Sequence, residues 1–488
     1  MMVRVLPDAF GLLCVLALAS AQEDVPPHRK SPELHALTAP DADGTKQGPG
    51  LYVFGGKGYT QEPRRRGGKG GKGKKGNKGG MRSTVTFFSD SWLFNLSSES
   101  WEEMESPKDS PVPTARWKSS MTRLDDSSLV LFGGCSSTAT SGVMNDLWVL
   151  EASCCPATAN WREVQTDSSP RARRGHVSVT NSTHLFIFGG KGWGDDNEAG
   201  ECLTDIYSLP LSALSSGADQ SDQRGNWTRG ADFPGRCRWG ATGTILNFNG
   251  SAYLAVFGGR ILNPGNENHA TGESAYTYFD ELWLYDTTAA SWRLAKPDGP
   301  GPHRRDHHGA ASIGDDLFVF GGRDSETRDK SSVLNDLWRF SLKENQWTQL
   351  GLKDHGPSKR YMPGVAEIRN PRGVEVLAVF GGEQLPGSTK RTTLNDLWFF
   401  TPGTWPGWTL VPTEDDSSEE ALELEGLQPQ SQLEEIFGHV SGGLGGLGAM
   451  LFVIAALAGV YVYKADLRRG ARSNQVAAEP SEYVQIQD

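Results

Sequence analysis

The chain has 488 residues and a formal net charge of −11 at pH 7, from 48 Lys and Arg against 59 Asp and Glu. A short basic run within such a chain commonly marks a nucleic-acid patch or an import signal, so the side of a membrane on which it lies decides its role.

The N-terminus reads Met1-Met2-Val3-Arg4, then the apolar run Ala9–Ala19, then Ala19-Ser20-Ala21. A cationic start, a short apolar core and an A-x-A exit form a secretory signal peptide, so residues 1–21 are expected to be cleaved after Ala21. The run is shorter than the about 20 apolar residues that span a bilayer. Residues 22–50 follow as a polar segment with five prolines.

From Leu51 to Val411 the sequence repeats itself. An apolar run closes on Phe-Gly-Gly six times, at Gly56, Gly134, Gly190, Gly259, Gly322 and Gly382. Each is followed by a loop and an acid-aromatic run: DSWLF (Asp90), NDLWVL (Asp146), TDIYSL (Asp205), DELWLY (Asp280), NDLWRF (Asp336) and NDLWFF (Asp396). A tryptophan then returns in every unit, at Trp101, Trp161, Trp227, Trp292, Trp347 and Trp408. Before five of the Gly-Gly runs stands Pro-x-x-Arg or a near variant, placing Arg116, Arg173, Arg236, Arg305 and Arg360. Repetition in fixed order at this period means a propeller or solenoid.

The order of these motifs resembles the kelch repeat, and is similar to its attractin/muskelin-like subgroup. The resemblance covers about three quarters of the chain and implies an all-β, six-bladed β-propeller over residues 51–412. The first unit departs from the pattern. No Pro-x-x-Arg run is read before its Gly-Gly, so its inner strand is either degenerate, near Leu34–Leu37, or missing.

Labelling the strands of each blade a to d from the centre outward puts the b–c and d–a connections on one face and the a–b and c–d turns on the other. The first b–c loop, residues 57–89, contains RRRGGKGGKGKKGNKGG, with Arg64, Arg65, Arg66, Lys69, Lys72, Lys74, Lys75 and Lys78. Glycine at this density leaves a flexible chain, so the run is expected to be a cationic flap that attracts an acidic partner. The five repeated arginines stand on the same face. In kelch proteins that ligate acidic peptides, arginines at comparable places line the pocket, so the resemblance implies a ligand role here. The competing reading pairs them with the aspartates of the c strands, Asp146, Asp205, Asp280, Asp336 and Asp396.

Residues 413–440 form an acidic stalk, and 441–463 a charge-free apolar segment followed by Lys464, Arg468, Arg469 and Arg472. Basic residues on that flank orient a single transmembrane helix with residues 464–488 in the cytoplasm. The chain therefore reads as a type I protein of the plasma membrane or endomembrane system, its propeller outside or lumenal. Topology excludes a nuclear-import role for the basic run. Sequons at Asn95, Asn181, Asn226 and Asn249 lie between the two apolar segments, as glycosylation sites would. Cys202 and Cys237 fall on one face of the propeller and are expected to form a disulfide; Cys154 and Cys155 are candidates for a vicinal bridge, which leaves Cys135 as the odd thiol. In the tail, Tyr483 and Ile486 fit a Tyr-x-x-Φ sorting signal for an adaptor.

Some kelch propellers are enzymes, such as galactose oxidase and sialic-acid mutarotases, which makes a membrane-tethered enzyme acting on acidic sugars the alternative. The only histidine-rich spot is His303, His307 and His308, and adjacent strand residues point to opposite faces. No metal, cofactor or catalytic set is expected. The favoured function is binding of an anionic glycan or an acidic protein segment.

Overall fold

The computed structural model describes residues 25–411, except 41–46, 64–80, 137–141, 155–156, 193–199, 216–224, 264–275, 326–331, 351–355, 371, 386–391 and 404–406. The chain divides into two units between Pro412 and Thr413. The segments expected to be a signal peptide, the basic run at 64–80, an acidic stalk, a membrane span and a tail with Tyr483 and Ile486 lie outside the described residues. No helix among the described residues is long and apolar enough to cross a membrane.

Six four-stranded antiparallel sheets make the blades, and each uses one continuous stretch of chain. They span residues 33–103, 120–163, 177–229, 242–294, 309–350 and 364–411. Inner-strand residues of all six line the same central channel. The first blade is complete. Its inner strand, Glu33–Pro40, pairs with Gln47–Phe54 in register from Glu33↔Phe54 to Pro40↔Gln47. Leu34 and Leu37 are its buried residues, so the degenerate strand is present where the sequence suggested it.

The repeated motifs each hold one joint. Every blade's outer tryptophan packs on the Phe-Gly-Gly phenylalanine of the preceding blade, with centroids 4.8 to 5.7 Å apart. Such aromatic contacts add specific geometry to the apolar area they bury. In five units the second glycine donates its N–H to an arginine carbonyl just ahead of the next blade, as in Gly259 to Arg305 (2.9 Å) and Gly322 to Arg360 (2.9 Å). At Gly190, φ is +91° and a Cβ would lie 2.7 Å from that of His176, so only glycine fits.

The last blade meets the first by the same joints. Gly382 donates to the Arg29 carbonyl (2.9 Å), and Trp101 of the first blade stacks 5.2 Å from Phe380 of the sixth. No strand crosses this seam among the described residues.

Polar ties cross the channel walls, where Ser120 bonds His176 Nε2 (2.5 Å) and Thr242 bonds His308 Nε2 (2.6 Å). Burial, aided by the Arg305 charge, pushes His308 down to about 3. Burial, then Arg173, likewise lowers His176. The unfolded imidazoles take a proton near pH 6.5, so this stability is present above that pH and is lost as pH falls toward 3. The loss from His308 alone reaches on the order of 4 kcal/mol by pH 3. Thermal melts between pH 7 and 3 should show a falling midpoint that flattens in His308→Gln; an equal slope in that variant would refute the assignment.

Candidate functional site

Six buried arginines mark the ring where the inner strands begin: Arg29, Arg116, Arg173, Arg238, Arg305 and Arg360, all at 0–1% exposure. Five grip an aspartate with both terminal nitrogens. Arg305, for example, reaches both oxygens of Asp336 at 2.8 Å while its Nη1 also donates to the Gly321 carbonyl at 2.9 Å. The equivalent pairs are Arg29–Asp90, Arg116–Asp146, Arg173–Asp205 and Arg360–Asp396. Planar forks matched to carboxylates make these strong, directional bonds. Each c-strand aromatic two residues on completes the unit where it is tryptophan, as Trp338 Nε1 donates to Asp336 at 2.7 Å.

These findings correct the expected ligand ring in three ways. Arg116, Arg173, Arg305 and Arg360 direct their donors into their own blades, as in the pairing alternative, and present no exposed fork. Arg236 is exposed, over the Phe279 ring at 5.6 Å; the ring position belongs to Arg238, which bonds Glu281 at 2.7 Å and the Gly258 carbonyl at 3.2 Å. Pro234-Gly235-Arg236-Cys237-Arg238 holds one residue more than Pro-x-x-Arg, and Glu281, not Asp280, stands two places before Trp283. The sixth member, Arg29, was missed although Pro26-Pro27-His28-Arg29 is an ordinary copy of the motif.

Two neighbouring positions in each blade, most of them buried, lie at the b–c/d–a end of the inner strands, called here the mouth. One follows each ring arginine: Lys30, Trp117, Arg174, Trp239, Asp306 and Tyr361. The other follows each Gly-Gly: Lys57, Cys135, Lys191, Arg260, Arg323 and Glu383. Backbone pairing sets the two side by side in every blade. One residue further on, Ser31, Lys118, Gly175, Gly240, His307 and Met362 all have φ between 50° and 69°. Their backbones form a collar, with Gly175 donating to Lys118, Gly240 to Gly175, His307 to Gly240, Met362 to His307 and Ser31 to Met362, at 2.7 to 3.0 Å.

Among the described residues, these positions are unbalanced in charge. These positions supply seven cations, Lys30, Lys57, Lys118, Arg174, Lys191, Arg260 and Arg323, against two acids. Both acids are fully buried and lie on the last two blades. Asp306 meets Arg260 (2.9 Å), Arg323 (3.1 Å) and His307 (2.5 Å). Burial alone would raise its pKa, but those three hold its carboxyl well below the usual range. Glu383 pairs with Lys30 and accepts from Tyr361 at 2.6 Å. Among the described residues at these positions, no acid stands on the first four blades. Burial and the charges of Arg260, Arg174 and Arg323 lower Lys118; burial, Arg174 and Arg260 lower Lys191. Aromatic faces wall the site: Lys118 lies 4.7 Å from Trp117 and 5.1 Å from Trp239, and Arg260 is 4.0 Å from Trp239 and 4.1 Å from Tyr276.

Lys57–Pro63 pairs with Met81–Phe87; the basic run between them in sequence, residues 64–80, is outside the described residues. Cys202 and Cys237 are joined, with Cα atoms 5.7 Å apart, and Cys135 is a buried free thiol. The Cys154 and Cys155 side chains are outside the described residues. His303 faces Asp324 at 3.3 Å while His307 and His308 turn to Asp306 and Thr242. The three do not converge, and no cluster fit for a metal exists among the described residues.

Residues 78–215 and 224–423 match the KLHDC2/KLHL20/DRC7 Kelch-repeats domain. The chain belongs to the kelch-repeat family. It is 26% identical over 283 residues to Kelch domain-containing protein 3 of Homo sapiens, which covers 56% of this chain and 65% of that protein. Adagio protein 3 of Arabidopsis thaliana is 27% identical over 277 residues, 36% of its length. Tip elongation aberrant protein 1 of Schizosaccharomyces pombe is 27% identical over 223 residues, 16% of its length. The chain thus spans about two thirds or less of these relatives. The matching domain carries names other than those of the attractin/muskelin-like subgroup.

Proposed function

We propose that this propeller is a non-catalytic binding module, carried outside or in the lumen by a single-pass type I membrane protein, and that it recognises an acidic protein segment at the channel mouth. The observation that carries the reading is the excess of cations around one collar. Burial and then neighbouring cations lower Lys118 and Lys191, an incoming carboxylate opposes both, and guanidinium forks suit carboxylates. The Cys202–Cys237 bridge fits an oxidising compartment. The flap 64–80 supplies long-range attraction, which salt screens beyond about 8 Å at physiological ionic strength; the mouth supplies the shaped part.

Binding of the full-length protein in detergent to a polyglutamate peptide tests this, with heparin as the anionic-glycan probe. Arg174→Ala with Lys191→Ala should weaken polyglutamate binding about tenfold or more, since paired charges at close contact contribute at least one such step. Deleting residues 64–80 should slow association and flatten its salt dependence while leaving the melting temperature unchanged. Equal binding by the double variant would refute the mouth, and preference for heparin would replace the protein segment with a glycan.

A further inference from the structure

We propose that N-linked glycans cover one face of the propeller and leave the cationic face bare, so that a macromolecular partner docks from that side alone. This rests on the lumenal or extracellular reading of the propeller. Asn95 ends the c strand of the first blade, and its Oδ1 caps the c–d turn by accepting from Ser97 (2.8 Å) and Ser98 (3.2 Å). Asn181 makes the a–b turn of the third blade in the same way, accepting from Thr183 (2.9 Å) and His184 (2.8 Å). Asn226 is exposed just before the outer strand Thr228–Arg229, at its c–d end. Asn249, also exposed, forms the two-residue a–b turn of the fourth blade with Gly250, both at positive φ.

All four therefore belong to a–b or c–d turns. Contact between two such turns shows that they share a face, because Asn181 Nδ2 donates to Thr287 Oγ1 in the c–d turn of the next blade at 3.3 Å. The b–c and d–a connections contain no sequon, although they include stretches as long as 55–90 and 258–281. A glycan is bulky and hydrated, and four of them exclude a protein surface from the side they occupy. The opposite face holds the mouth and its cations.

Two added sequons separate the faces. Ser136→Asn completes one with Ser137 and Thr138 beside Cys135 at the mouth, at an exposed position. Asp125→Asn completes one with Asp126 and Ser127 in an a–b turn, where asparagine retains the carbonyl oxygen that Ser127 N–H bonds. The full chain is expressed in animal cells, and its glycopeptides are mapped after enzymatic deglycosylation in heavy-oxygen water. Asn95, Asn181, Asn226 and Asn249 should all be occupied. Glycosylated S136N should associate with polyglutamate about tenfold more slowly, and removing its glycan should restore the rate, whereas glycosylated D125N should match the parent. Empty native sites on a membrane-bound protein that retains the Cys202–Cys237 bridge would overturn the inference and leave the lumenal reading standing. A chain without bridge or glycans would overturn both. Equal blocking by S136N and D125N would refute the single-face arrangement.

Discussion

Arg305→Ala should destabilise the propeller by about 3–5 kcal/mol, the usual cost of stripping one partner from a buried ion pair. Asp336 loses both hydrogen bonds from the fork and the Gly321 carbonyl loses a donor. Arg238→Ala should cost somewhat less, because Glu281 is held through one oxygen and is 39% exposed. Arg236→Ala should fall within about 0.5 kcal/mol of the parent, as exposed substitutions do. Urea unfolding of the three variants checks the order. An Arg236→Ala loss as large as that of Arg305→Ala would restore Arg236 to the ring and displace Arg238.

The second large effect is expected at the junction of the first and sixth blades. Glu383→Ala leaves the Lys30 ammonium, 3% exposed, without its carboxylate, and frees the Tyr361 hydroxyl that the same side chain accepts from. Loss of about 3–5 kcal/mol follows, and it should be local before it is global. Hydrogen exchange should speed first in Glu33–Pro40 and Gly364–Arg369, the inner strands on either side of the junction. Glu383→Gln should recover part of the loss through the tyrosine bond. Uniform acceleration across all six blades would show that this pair does not hold the junction.

The blade count and most strand positions were legible because Phe-Gly-Gly, acid-x-aromatic and the returning tryptophan each mark one joint repeated in every blade. Errors arose where one copy slipped. An extra residue in Pro234–Arg238 moves the arginine one place past the motif and leaves Arg236 one place short of it as a competitor, and Asp280-Glu281 offers two acids where only spacing from Trp283 selects one. Arg29 was overlooked because proline density in residues 22–50 suggested an irregular segment. The mouth was readable only in register: Lys57, Lys191, Arg260 and Arg323 each follow a Gly-Gly, but adjacency across blades is a property of the closed ring. Whether an arginine faces a ligand or its own blade is invisible to spacing, since both uses need the residue at the same point of the strand.

Each blade is spelled by one uninterrupted run of sequence, and among the described residues no sheet combines strands from the two ends of the propeller. Gene duplication or loss of one whole repeat at either end would therefore transmit an intact sheet, with no composite blade to repair. The ring also has no privileged starting point. A permuted gene that opens at another inter-blade link would encode the same six sheets, provided the old ends were joined. Exchange of blades between related genes would likewise transplant a mouth residue together with the arginine and glycine pair that position it, so the charge of the face can evolve one blade at a time while the frame stays constant.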